Sequence, residues 1–96
     1  MTDSKIVSGR KVVTTAGTRV RLSETSINCK KIEFSANDNG DAVVVLGGEN
    51  VIAAEETRQG MPLFSGDVRT IYIDNVNKVW LDSTEDNKGG TFDVFS

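Results

Sequence analysis

The chain has no histidine and only one cysteine in 96 residues, which removes most of the catalytic repertoire open to a small protein. Zinc and other transition-metal sites are not expected without imidazole or clustered thiols. A lone Cys29 excludes an internal disulfide. It lies close in sequence to Ile32 and Phe34 and reads as a small buried apolar residue; Lys30 and Lys31 adjoin it, but strand alternation does not aim them at the sulfur as a reactive thiol would need. Long apolar runs are missing too. The longest, at residues 42–48, falls far short of the roughly 20 residues that span a bilayer. Residues 1–10 lack the apolar stretch of a signal peptide. The expectation is a soluble protein assembled in the cytoplasm, with no membrane partner. No amphipathic helix of useful length is specified.

What is present is a strand pattern. Short runs of Val, Ile, Thr and Phe recur, separated by Gly, Asn, Asp and Ser. Residues 29–36 are the clearest case: Ile32, Phe34 and Ala36 alternate with Glu33 and Ser35, giving one buried and one wet face. Residues 42–46 are apolar on both faces and should form a central, doubly covered strand. The Asn39-Gly40 pair between these segments is a hairpin signal. Ala16-Gly17 reads as a turn between strands at 11–15 and 18–22, and 82–90 as a polar loop. Further strands are expected at 68–73, 77–82 and 91–95. Seven or eight short strands predict an all-β fold, a small antiparallel β-sandwich or partly closed barrel, jelly-roll-like in form. Residues 1–10 are expected as a flexible N-terminal arm and 11–96 as a single β-domain. With only 38% apolar residues, a core of this size is expected to complete its burial by self-association or by docking on a partner.

Charge is unevenly spread. Residues 1–31 hold seven basic and two acidic residues, a balance of +5; the remainder holds four against twelve, or −8. Lys5, Arg10, Lys11, Arg19, Arg21, Lys30 and Lys31 are the candidate partner-contact residues, since a polarised molecule can set its basic side on an acidic surface or stack head to tail. Direct nucleic-acid binding is not expected, because these residues are not interleaved with aromatics and the chain is acidic overall. Tyr72 and Trp80 lie opposite the aliphatic sets of their strands. They are candidates for a second core layer, an interface patch or a sugar-stacking platform.

Enzyme chemistry finds little support. The aspartates Asp38, Asp41, Asp67, Asp74, Asp82 and Asp86 fall at turn positions, where a carboxylate bonds nearby backbone, rather than as a glycosidase pair. The 38–41 segment is rich in oxygen ligands but lacks the spacing of a calcium loop. Gly47-Gly48 is followed by neither Lys-Ser/Thr nor a helix, so it reads as a bulge and not a phosphate loop. No catalytic residue, cofactor or metal is assigned.

The order of these segments carries a resemblance. Val13-Thr14-Thr15-Ala16-Gly17-Thr18 is followed by Val20 and Leu22, then by Cys29-Lys30-Lys31-Ile32-Glu33-Phe34 and Asn39-Gly40. Gly47-Gly48-Glu49-Asn50-Val51, Gly60-Met61-Pro62-Leu63, Ile71-Tyr72-Ile73-Asp74 and Val79-Trp80-Leu81-Asp82 complete the series. Over residues 11–83 the chain resembles small virion proteins of tailed bacteriophages. The charged 51–60 segment departs from that pattern, and 91–96 matches only as a generic strand. The resemblance implies a capsid decoration, or cement, protein on the virion exterior. It would be a homo-oligomer, favoured as a trimer, bound to the major capsid protein where capsomers meet. A tail, neck or fibre component, or a carbohydrate-binding module for host attachment, is the alternative.

Overall fold

The computed structural model describes residues 5–38 and 40–96. Eight strands form in chain order: β1 (Ile6–Val13), β2 (Val20–Arg21), β3 (Lys31–Asp38), β4 (Val44–Gly47), β5 (Met61–Leu63), β6 (Val68–Ile71), β7 (Trp80–Ser83) and β8 (Lys88–Phe95). The helical pieces among the described residues are two three-residue 3-10 turns, Glu55–Thr57 and Val76–Lys78.

The strands make two four-stranded sheets in the orders β1-β8-β3-β6 and β2-β7-β4-β5. The antiparallel pairs β1–β8, β2–β7, β3–β6 and β4–β5 are those of a long ribbon doubled on itself and rolled, which is the jelly-roll arrangement. The sheets stay separate, so the fold is a sandwich and not a closed barrel.

The inner faces supply the core. Phe34, Ile32 and Ala36 of β3 meet Val44 and Leu46 of β4, Leu81 of β7, Val94 of β8 and Val13 of β1, all fully or almost fully buried. Each of the larger side chains contributes about 1.5–3 kcal/mol on leaving water. β4 is covered on both faces, as its apolar run predicts. Val44 and Leu46 enter the main core, while Val45 packs outward against Val51 and Ala53, with Trp80 at the margin.

Several expected boundaries change. Strand β1 starts at Ile6, so residues 6–10 belong to the sheet and not to an arm; residues 1–4 lie outside the described residues. The segment is polar because it is a sheet edge, held by backbone pairing to β8 from Ile6–Phe95 to Val13–Lys88. Gly9 is part of the reason it fits: a Cβ there would sit 2.6 Å from the Phe92 ring. β3 and β4 do not pair with each other as a hairpin at 39–40 would require. Residue 39 lies outside the described residues, but β3 and β4 belong to different sheets, so this connection crosses the sandwich. The Ala16-Gly17 turn likewise joins strands of different sheets. Residues 88–90 are strand and not loop, threaded between β1 and β3.

Candidate functional site

Among the described residues no group of three or more His, Cys, Asp or Glu side chains converges as a metal site. Two surfaces gather residues singled out in the sequence.

The first is one end of the β1-β8-β3-β6 sheet. Ile6, Phe95 and Lys31 stand in register across β1, β8 and β3. Tyr72 follows Ile71 at the next ladder position, because the pairing of β6 with β3 continues to an amide–carbonyl bond between Cys29 and Asp74. The outer face here is therefore an apolar and aromatic row with cations around it. Ile6 is 60% and Tyr72 79% exposed. The Lys31 ammonium lies 4.8 Å from the centre of the Phe95 ring. Lys5 and Ser96 bond through their backbones, and the Lys30 amide donates to the Phe95 carbonyl, so Lys5, Lys30 and Lys31 all gather at this end. Tyr72 is thus a surface residue and no part of a second core layer.

The opposite end holds loops 14–17, 40–43, 53–57 and 84–88, tied together by carboxylates and backbone. Asp86 Oδ1 accepts from the Ala16 amide at 2.7 Å, and Val43 and Thr84 bond reciprocally. Asp41, Glu55, Glu56, Glu85 and Asp86 are all exposed there. The lysine end is not purely basic, since the Lys31 ammonium also lies 3.9 Å from Glu33 and Asp74 is bonded to Cys29 nearby.

The second surface lies on the outer face of the β2-β7-β4-β5 sheet. Arg21, Trp80 and Gly47 are neighbours in register. The Arg21 guanidinium rests 5.0 Å from the Trp80 ring centre. The ring also borders the small cluster of Val45, Val51 and Ala53, so it is half-buried as a second core layer with one edge open. Segment 48–60 folds over this face: Ile52 and Gln59 bond reciprocally, and Arg58 Nε donates to the Ala53 carbonyl at 3.0 Å. A cleft of about 590 Å3 beside the ring is lined by Gly17, Thr18, Arg19, Glu49, Asn50 and Trp80.

The seven predicted cations therefore do not form one patch. Lys5, Lys30 and Lys31 share the sheet end, and Arg19 and Arg21 share the Trp80 surface. Arg10 and Lys11 lie between, on β1. Arg10 stands in register with Thr91, about 13 Å along the strand from Ile6.

One important residue is misjudged by sequence reasoning. Asp82 is not at a turn but buried in β7. Its Oδ1 accepts from the amides of Gly17 and Ser83, and Oδ2 from the Ala53 amide at 2.9 Å. The signal was its place in a strand between Leu81 and Ser83, where a carboxylate needs partners to be tolerated. Cys29 is half-buried and its thiol donates to the Ile73 carbonyl. Burial first, and then the nearby Asp74 charge, pushes the thiol above its ordinary pKa. Asp74 itself is held below the usual carboxylate range by its hydrogen bond and charge contact with Lys78.

Compared with known proteins, the chain matches no family model, and no curated protein or solved structure is significantly similar to it.

Proposed function

We propose that this chain is a structural virion protein that decorates and stabilises a phage capsid, docking on the outer shell through the basic end of its β1-β8-β3-β6 sheet. The observation that carries this reading is the row of Ile6, Phe95 and Tyr72 flanked by Lys5, Lys30 and Lys31. It pairs apolar area with positive charge, the combination suited to an acidic protein surface. Many identical weak contacts on a shell then add to a large joint stabilisation. Jelly-roll sandwiches recur in viral capsid domains and also in lectins, so the fold supports the reading only by analogy. Exposed Met61, Phe64 and Val68, close together in the chain near β5 and β6, supply apolar area for the trimer in this proposal.

A protein partner is favoured over a host glycan because Arg21 lies across one face of Trp80 and the ring also borders the Val45, Val51 and Ala53 cluster, which leaves little of it for a sugar to stack on. Co-sedimentation with undecorated, expanded capsids tests the proposal. Saturable binding that weakens with added salt is expected. Absence of binding to intact heads would overturn the capsid position and redirect attention to the tail or fibre.

A further inference from the structure

We infer that the groove across Trp80 is a binding site for an extended peptide segment bearing carboxylates, contributed by a partner protein. This inference is independent of the capsid docking row, which lies on the other sheet. Two clefts meet at Trp80 and Glu49: the 590 Å3 space beside Arg19, and a second of about 280 Å3 lined by Arg21, Asn77 and Lys78. Sharing Trp80 and Glu49, they make one open trough past Arg19 and Arg21, and the larger cleft alone falls within the size range of ligand sites.

The charges of this trough are poorly satisfied within the chain. Arg19, Arg21 and Lys78 face a single lining carboxylate, Glu49. Lys78 is committed to Asp74 at 2.8 Å. Arg21 reaches Glu24 only at 3.9 Å, a long contact between a partly exposed guanidinium and a largely exposed carboxylate. Arg19 has no hydrogen bond or ion pair among the described residues. Two guanidinium groups are thus left with donors to spare, and their planar fork matches a carboxylate in bidentate geometry.

The packing of Arg21 adds direction. Its Nε is buried without a hydrogen-bond acceptor, while its side chain lies against the indole. The aromatic face fixes the guanidinium plane and leaves its terminal nitrogens for an acceptor outside the chain. Because that face is occupied, the trough suits a carboxylate better than a stacked sugar. β2 is an edge strand, and Thr18, Asn50 and Asn77 line the same trough, so amide groups of an extended segment meet polar partners.

Trp80 is the only tryptophan in the chain, so its fluorescence reports on this groove directly. The intact protein is titrated with hexaglutamate, with hexaglutamine and with a hexauronate oligosaccharide. The expected result is a saturable change with hexaglutamate alone, weakened by salt and reduced at least tenfold in Arg19→Gln. Arg21→Gln should lose as much, with circular dichroism to verify its fold; Arg19 is exposed and its replacement leaves the fold intact. No saturable change with hexaglutamate, undiminished binding in Arg19→Gln, or tighter binding of the hexauronate would each overturn the inference.

Discussion

Asp82 is 2% exposed, and the amides that it accepts come from three separate parts of the chain: the 16–18 turn, the 48–60 segment and β7 itself. A buried donor left without its acceptor costs about 1–3 kcal/mol. Asp82→Ala should therefore lower unfolding stability by roughly 3–5 kcal/mol, read as a shift in the urea midpoint. Asp82→Asn, which keeps one acceptor, should cost less. Cys29 yields a prediction with a defined pH sense. Its folded thiol is raised above the unfolded value by burial and by Asp74. The stability tied to the neutral thiol is fully present below the unfolded value and is lost as pH rises through the raised folded one. At mildly alkaline pH, modification by a disulfide reagent should be slower in the native protein than in urea. Equal rates in the two states would refute the protection.

Among the strands, β8 is the most constrained. It runs between β1 and β3, and its ladder with β3 shifts register between Ser35 and Asp38. Opposite that bulge lies Gly90, where a Cβ would come within 2.0 Å of the Ser35 carbonyl oxygen. No rotamer relieves a clash with backbone, so Gly90→Ala should force the two strands apart and cost at least about 2 kcal/mol, measured by thermal or urea unfolding. This element also marks how far the sequence could be read. The alternation of Ile32, Phe34 and Ala36 and the doubly apolar run at 42–46 showed which strands fill the core, because burial writes itself into side-chain periodicity. Lys88-Gly89-Gly90 looked like a loop because glycine signals a turn and a tight backbone approach alike. The 39–40 hairpin failed for a related reason: local turn chemistry does not say whether the next strand joins the same sheet or crosses to the other. The polar residues of β1 concealed an edge strand, since an edge is held by backbone bonds that leave little trace in composition.

Over the whole molecule, Lys5, Lys30 and Lys31 meet at one end of the β1-β8-β3-β6 sheet, while exposed Asp41, Glu55, Glu56, Glu85 and Asp86 lie on the loops of the other. The basic candidates were legible as residues, but their division between two surfaces was not, because it depends on which strands become neighbours. Under the proposed function, the charge reversals Lys5→Glu, Lys30→Glu and Lys31→Glu together should abolish capsid co-sedimentation while leaving unfolding stability within about 1 kcal/mol, since exposed ion pairs contribute little. Retained decoration by that triple variant would exclude this end as the docking face. A deletion limited to residues 1–4 is a cleaner probe of the N-terminus than removal of residues 1–9, which would take half of β1 with it.

The rolled ribbon also determines the order in which events must happen in time. Lys5 and Ser96, bonded to each other, are 91 positions apart along the chain. Among the described strands, only β4 and β5 are both consecutive in the chain and paired in a sheet. Nearly every ladder therefore waits on the closure of a large loop, whose entropic cost precedes any reward from pairing. On a ribosome, β1 emerges first yet has no partner until β8 follows. Its apolar Ile6 and Val7 must remain in water throughout that interval, and the Arg10 and Lys11 charges on the same strand discourage it from pairing prematurely with another chain.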